Sequence, residues 1–184
     1  MFIVVSLVLY RFGNRAFDKA DQYTRGQKGE GAIWYALRRL PHEYHVFQDV
    51  RLPGQQWNID FVVVGPSGVW TIEVKSHRGV IGLNHGLLTR NNQYFEKDVL
   101  RQMRGEAAGL GQYLREQMQW QVFVLPVVVF AYRVKIGFGQ RPVDGVYVIG
   151  RRWLGEVITN RPARLSQGQV EGIVAVVADL GRKK

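Results

Sequence analysis

The chain has 184 residues, enough for one domain with a sizeable core, and 46% of them are hydrophobic, as in an ordinary globular protein. It contains no cysteine, which excludes disulfides, cysteine-ligated zinc, iron–sulfur clusters and thiol catalysis. The net charge of +10 suits nucleic acid or an anionic membrane, although a merely basic soluble protein fits the composition equally well. Most of the cations are arginines, whose planar forks match phosphate, and this favours nucleic acid.

The chain begins with an apolar run from Phe2 to Tyr10. This run has only about half the length of a bilayer-spanning helix, and it lacks the features of a secretion signal. A weak surface anchor, the remnant of a clipped membrane segment and a packing arm all stay open as its role. We expect an apolar segment and linker over 1–23, a single domain over 24–182, and a cytoplasmic protein, with weak membrane-surface association through residues 1–12 as the alternative.

The first predicted element is a helix. Thr24 and Gln27 match a capping box, which predicts a helix over Arg25–Leu40 that ends at Pro41. Residues 44–52 then have the composition of a strand, and the following "PGQQ" indicates a turn.

Further along the chain, strands alternate with two more helices. The apolar strand over 120–132 contains Pro126, which predicts a bulge or a break. Ser166 and Gln169 repeat the capping-box pattern before a final amphipathic helix. The other predicted elements are strands over 57–64, 69–75, 79–83, 86–90 and 145–150, and a helix over 97–118. This order predicts an α/β protein with a mixed sheet.

The turn "GPSG" sets the register of the hairpin formed by 57–64 and 69–75. If Pro66 and Ser67 are the turn residues, Asp60 lies opposite Glu73, with Cβ atoms about 4.5–5.5 Å apart. One face is then wholly apolar, and the other carries its charges at one end. The apolar face has Ile59, Phe61, Val63, Trp70, Ile72 and Val74, and the charges are those of Asp60, Glu73 and Lys75.

Two opposed carboxylates destabilise a sheet unless a cation lies between them or one of them is protonated. Lys75 supplies one positive charge, and a divalent metal would supply more. Oxygen ligands with open positions suit Mg²⁺ or Mn²⁺. The alternative is an ordinary acid pair with a nearby lysine on a solvated strand face, and the hairpin alone favours that alternative.

Two helical residues could add to this cluster. Glu30 falls within the apolar stripe of the first helix, where a carboxylate needs a partner or a shifted pKa. A capping glutamate on a helix that begins later is an equally good interpretation. Gln102 lies on the flank of the stripe in the second helix, in one row with Glu106, and on its own is an ordinary surface glutamine.

Taken together, several motifs resemble the nuclease-related domain, a family assigned to the PD-(D/E)XK nuclease superfamily. The resemblance runs from about Arg25 to Gly150 and is strongest over 58–81. Its motifs are "RGQKGE" opening a helix, "DVRL", "NIDFVVVGPSGVWTIEVKSHRGVI", "LRQ" within a helix and "LPVVVF". The resemblance implies a restriction-endonuclease-like α-β-β-β-α-β core, with a mixed central β-sheet flanked by helices.

The resemblance also implies roles for five residues. Asp60 would be the first metal-binding acid, Glu73 and Lys75 the E-x-K motif, Glu30 the helix glutamate near the metal, and Gln102 the glutamine of the later helix. The family has Asn-Pro before that later helix, whereas this chain has Asp98–Val99.

The implied activity is hydrolysis of phosphodiester bonds by a Mg²⁺- or Mn²⁺-dependent nuclease. Asp60, Glu73 and Glu30 would hold the metal. The partner would be nucleic acid, with DNA favoured, bound with little sequence specificity. Two alternatives stay open: a non-catalytic nucleic-acid-binding module that keeps the nuclease fold, and a membrane-surface protein that uses its basic charge and apolar start.

Overall fold

The computed structural model describes residues 26–139 and 141–182. Helix α1 occupies residues 26–37, so it ends three residues before the predicted end at Leu40. The chain continues as a tighter turn, in which the Leu40 N–H donates to the Leu37 carbonyl over 3.0 Å. Pro41 explains the early end, because a proline disfavours helical geometry at the residue before it. The predicted cap at Thr24 and the apolar segment over 1–23 lie outside the described residues.

Within the described residues, nine strands and three further helices follow α1. No helix in the described ranges is long and apolar enough to cross a membrane. The elements are β1 (His45–Val50), β2 (Ile59–Gly65), β3 (Gly68–Lys75), β4 (Gly79–Asn84), β5 (Leu87–Arg90), β6 (Gln93–Tyr94), α2 (Val99–Met118), β7 (Val124–Phe130), β8 (Val134–Ile136), β9 (Tyr147–Gly150), a 3₁₀ turn (Arg151–Trp153), α3 (Leu154–Thr159) and α4 (Gln167–Arg182).

The main sheet has five strands in the order β1-β2-β3-β7-β9. Strand β2 is antiparallel to both of its neighbours, β1 and β3. Strands β3, β7 and β9 are parallel to one another. The carboxyl ends of the parallel strands, at Lys75, Phe130 and Gly150, therefore meet at one edge of the sheet. This architecture confirms the predicted mixed α/β class.

Helices cover both faces of the main sheet. Helices α1 and α3 pack on one face, in a cluster that includes Ile33, Leu37, Phe61, Ile72 and Leu154. Helices α2 and α4 pack on the other face, in a cluster that includes Ile59, Val62, Val69, Leu110 and Ile173. The predicted sorting of the hairpin is therefore wrong for Ile59, which packs with the second cluster. It pairs with Val50, next to Asp49, whose left-handed backbone (φ 53°) interrupts the regular strand at this end.

A second, four-stranded sheet has the order β6-β5-β4-β8 and was not predicted as a separate unit. Its β4–β8 pair is parallel and joins Gly79 to Val134, two segments far apart in the chain. Local patterns carry no information on such a pairing. The sheet packs beside the amino-terminal half of α2 through a cluster that includes Ile81, Leu88, Leu100, Met103 and Phe130.

The bulge or break predicted at Pro126 is also wrong. Strand β7 pairs without interruption with β3 from Val69↔Val124 to Lys75↔Phe130, and Pro126 faces Thr71. The ladder between β7 and β9 begins only at Val127. At Pro126 the strand is thus paired on one side alone, where a residue without an N–H can be accommodated.

Candidate active site

The hairpin has the register that its turn predicts. The paired residues run from Phe61↔Ile72 to Gly65↔Gly68, so Asp60 and Glu73 occupy the next positions along the two strands. Buried apolar pairs on both sides of this ladder hold it in register, because a slip by one residue would expose them. The charged end of the hairpin is therefore defined by the packing of its apolar end.

Asp60 is anchored at the start of β2. Its Oδ2 accepts a hydrogen bond of 2.8 Å from the backbone N–H of Val74, the residue between Glu73 and Lys75. Burial and, after it, the nearby carboxylates of Glu73 and Glu30 raise the pKa of Asp60 to about 8. The Val74 hydrogen bond and Lys75 oppose this rise without overcoming it. This environment therefore favours the protonated form of Asp60 over its carboxylate.

Glu73 and Lys75 form an ion pair at the end of β3. Lys75 Nζ lies 2.6 Å from Glu73 Oε1, and the two side chains are only 11% and 19% exposed. Both residues pair in register with β7, with Val128 and Phe130, and those apolar side chains pack against α2. The ion pair therefore lies between the carboxyl end of the sheet and the first turns of α2.

Glu30 approaches the same acids from α1. Its pKa is raised by burial, then by Asp49 and Glu73. The neighbouring Gly29 explains the approach, since a Cβ there would overlap Ser76 Oγ and lie 3.3 Å from the Ala131 Cβ. A glycine at this position lets α1 contact the ends of β3 and β7 directly.

Asp49 is an additional acid near Glu30. It lies at the end of β1 in a left-handed conformation, which aspartate tolerates better than most residues, and it interacts electrostatically with Glu30. The "DVRL" motif contains it, but Asp49 was not among the predicted site residues. The unusual backbone could not be read from the sequence.

Helix α2 brings Gln102 to the cluster. The helix begins at Val99, and the side chain of its N-cap residue Asp98 accepts a 3.0 Å hydrogen bond from the Arg101 N–H. Aspartate thus caps the helix where the family has Asn-Pro. One turn further on, Gln102 Nε2 donates a 2.8 Å hydrogen bond to Glu106 Oε1.

Glu106 is a buried acid that lies in one row with Gln102 on α2, but it was not among the predicted site residues. It is 2% exposed, and its Oε2 has no hydrogen-bond partner among the described residues. Burial, with a smaller contribution from Glu73, raises its pKa to about 7, and the Gln102 hydrogen bond and Lys75 oppose the rise. The signal was present, because Glu106 lies between Met103 and Ala107 in the stripe of α2 that faces the core.

A cleft of about 720 Å³ opens beside Lys75 and Gln102. His77 stands in it with its ring 5.3 Å from that of Phe95, and its pKa is lowered by burial, then by Arg90 and Lys75. The cleft is lined by three cations, one acid and several other polar side chains: Lys75, Arg90, Lys97, Glu96, His77, Tyr94 and Gln102. It can accept an anionic ligand next to the acids.

Asp60 and Glu73 are the carboxylates that could hold a hard divalent cation. No group of three or more acidic or histidine side chains within 26–139 and 141–182 is gathered tightly enough to hold a metal. Mg²⁺, however, is commonly bound by one or two carboxylates, with waters and substrate phosphate in the other positions. A cation between Asp60 and Glu73 would offset the repulsion that raises the pKa of Asp60.

The fold and the cluster define a mixed α/β protein with an acid–acid–lysine group at the end of its central hairpin. The family model of the nuclease-related domain matches residues 25–131, more than half of the chain. The chain belongs to that family and is nuclease-related, as its motifs predicted. A search of curated proteins and a search of solved structures each found no match.

Proposed function

We propose that the protein is a metal-dependent nuclease that hydrolyses phosphodiester bonds of nucleic acid, DNA above all, with little sequence specificity. The observation that carries this proposal is the half-buried carboxyl of Asp60 beside Glu73, with Lys75 Nζ 2.6 Å from Glu73 Oε1. A nuclease-related fold that retains two acids and a lysine at the end of one hairpin has the groups that this hydrolysis needs.

In the proposed mechanism, Asp60 and Glu73 hold Mg²⁺ or Mn²⁺. When bound, the metal supplies Lewis-acid activation of water and neutralises charge on the phosphate. Lys75 orients the attacking water and stabilises the negative charge that develops on the phosphate oxygens. The Val74 N–H fixes one oxygen of Asp60, so the other carboxylate oxygen is left to face a ligand.

Two residues on helices assist in this scheme. Glu30 lies close enough to Glu73 and Asp60 to interact with both, and we assign it to holding or tuning the metal. The amide of Gln102 is oriented by Glu106 through the 2.8 Å hydrogen bond, which leaves its carbonyl oxygen available to position Lys75 or a water.

The cleft supports nucleic acid as the substrate. Lys75, Arg90 and Lys97 line it, and Tyr94 is 52% exposed beside them. Side-chain cations that contact phosphates fix the position of a strand without reading its bases. Salt-sensitive binding with little sequence preference is the expected result.

The test is a cleavage assay with supercoiled plasmid, single-stranded DNA and RNA, each in Mg²⁺, Mn²⁺ or EDTA. Wild type should nick DNA only with metal, and Asp60→Asn, Glu73→Gln and Lys75→Ala should each reduce the rate at least about 100-fold. Circular dichroism should show all three variants folded. Activity that survives in the three variants would reject this site.

The second candidate is a non-catalytic module that binds nucleic acid. It is favoured by the ion pair itself, because Lys75 is engaged by Glu73 and no three-ligand metal set exists among the described residues. The same assay separates the two functions: a binding module retains plasmid in a gel shift but leaves it uncut in every metal.

A further inference from the structure

A second concave site lies at the same edge of the main sheet, beyond the proposed catalytic cluster. It is a cavity of about 750 Å³ between the ends of β7 and β9 and the strand β8. Its charged and aromatic side chains are Tyr132, Arg133, Lys135, Arg151, Arg152 and Trp153. We call these six residues the basic pocket.

The basic pocket has cations and no acid. Arg133, Lys135, Arg151 and Arg152 are all solvent-exposed, and none forms an ion pair within the described part of the chain. Four uncompensated charges around one cavity make a strongly positive local potential. Because no carboxylate balances them within the described residues, the site suits an anion with several charges.

The aromatic side chains add a second type of contact. The Arg152 guanidinium lies 4.9 Å from the Trp153 ring, and the guanidinium of Arg78 lies at the same distance from the Tyr132 ring. Both rings are half-buried, which fixes their planes. Aromatic rings and guanidinium planes are the surfaces on which unpaired bases stack.

The position of the pocket connects it to the proposed catalytic centre. The Ala131 N–H donates a 3.1 Å hydrogen bond to the Lys75 carbonyl, and Ala131 itself lines the pocket. The pocket lies at the ends of β7 and β9, which are the next two strands after β3 in the main sheet. Adjacent strands of a sheet are about 4.8 Å apart, so the pocket is close to the end of β3. Ligands of such sheets bind outside the carboxyl ends of the parallel strands, where both sites lie.

We propose that the basic pocket binds single-stranded nucleic acid, with its arginines and lysine on the phosphates and Trp153 and Tyr132 against unpaired bases. The inference deepens the proposed function, because it places a strand that leaves the catalytic cleft in this pocket. A duplex cannot use the stacking surfaces, since its bases are already stacked on each other. The expected substrate is therefore a single strand, or a duplex with a single-stranded end.

Binding is measured in EDTA, where no cleavage occurs, by fluorescence anisotropy with labelled oligo-dT and oligo-U of about 15 nucleotides. The test variant is Arg151→Gln with Arg152→Gln, and a second variant is Arg133→Gln with Lys135→Gln. The matched control is Arg38→Gln with Arg39→Gln, an equally exposed pair of adjacent arginines outside the pocket.

Each pocket variant should weaken single-strand binding about tenfold and lower the slope of log affinity against log salt by about 1.4, the value for two lost phosphate contacts. The control should bind like wild type, and the affinity of a duplex should change less than that of a single strand. Equal losses in control and pocket variants, or equal losses for duplex and single strand, would overturn the proposal.

The binding assay and the cleavage assay test the two proposals independently. Asp60→Asn should lose cleavage and keep oligonucleotide binding in EDTA. If wild type cleaves nothing but the pocket variants lose binding, the catalytic proposal fails and the pocket stands. If wild type cleaves and the pocket variants bind normally, the pocket proposal fails alone.

Discussion

Asp60 accepts a hydrogen bond from the Val74 N–H, and this contact ties the start of β2 to the residue that separates Glu73 from Lys75. One oxygen of the carboxyl is thus held by the backbone of the neighbouring strand. The rest of its environment is unfavourable to charge, because burial and two nearby acids raise its pKa to about 8. The ionised carboxyl therefore costs the native state free energy, and a bound cation would offset that cost.

Asp60→Asn should make the metal-free protein more stable at alkaline pH while it removes cleavage. The pKa of Asp60 is raised from 3.8 to about 8, so the native state holds its proton more tightly than the unfolded state, and stability falls as pH rises between those values. Asparagine keeps the acceptor for Val74 and carries no charge. We expect a gain of roughly 2–4 kcal/mol at about pH 9 and little change near pH 4.

Urea unfolding in EDTA across this pH range measures the difference. Glu156→Gln, an exposed acid on α3, is the control and should show no such trend. An Asp60→Asn protein that is less stable than wild type at alkaline pH would contradict the electrostatic account of this residue.

Lys75→Met should destabilise the metal-free protein. Glu73 is 11% exposed, and Lys75 makes its ion pair, so the substitution leaves a nearly buried carboxylate without its cation. We expect a loss of roughly 1–3 kcal/mol in EDTA, from thermal or urea unfolding. Lys97→Met, an exposed lysine of the same cleft, should change stability by less than about 0.5 kcal/mol. Equal effects of the two substitutions would mean that the Glu73 pair contributes nothing.

Glu106→Gln should remove a pH-dependent cost from the core. Burial raises the pKa of Glu106 from 4.5 to about 7, so wild type loses stability as pH rises through that interval. Glutamine keeps an oxygen to accept the Gln102 amide. We expect the variant to match wild type at about pH 4 and to exceed it by roughly 2–3 kcal/mol at about pH 8.

The comparison with Glu106→Leu isolates the hydrogen bond. Leucine also removes the charge but leaves the Gln102 Nε2 without its acceptor, so this variant should gain less than Glu106→Gln at alkaline pH. A pH profile of Glu106→Gln that runs parallel to that of wild type would rule out titration of Glu106 in this range.

Gly29→Ala and Gly31→Ala should have opposite effects, although both lie in α1. A methyl group at Gly29 would overlap Ser76 Oγ, whereas one at Gly31 meets no atom within 4 Å. The first should lose roughly 1–2 kcal/mol through forced repacking at the ends of β3 and β7. The second should gain up to about 1 kcal/mol from better helix propensity. Thermal unfolding of the two variants measures these changes. A Gly29→Ala protein that is more stable than wild type would contradict the close contact of α1 with the ends of β3 and β7.

The hairpin was predictable because its signals were local. The turn at Pro66–Ser67 and the alternating apolar residues define one register, and the structure has it. The capping box at Ser166 was equally clear: its N–H donates to Gln169 Oε1 over 2.9 Å. Asp98 replaces the asparagine of the family's Asn-Pro, but aspartate is an equally good N-cap residue, and its side chain accepts a hydrogen bond from the Arg101 N–H.

The remaining features depend on contacts between distant segments. Pro126 would interrupt its strand only if the strand were paired on both sides at that residue. The ladder between β7 and β9 begins one residue later, at Val127. The second sheet depends on pairing of β4 with β8. The two halves of the basic pocket come from residues 132–135 and from the 3₁₀ turn after β9, which no local pattern relates. Glu106 is different, since its position in the α2 stripe marked it as buried.

The most direct test of the central claim, that Asp60 and Glu73 share one divalent cation, is a calorimetric titration of the protein with Mn²⁺ in buffers of different ionisation enthalpy. At about pH 7, Asp60 is mostly protonated, because its pKa is about 8. Wild type should bind Mn²⁺ and release close to one proton per ion, and the double variant Asp60→Asn, Glu73→Gln should bind none at this site. Equal binding by both proteins, or binding by wild type without proton release, would contradict the account.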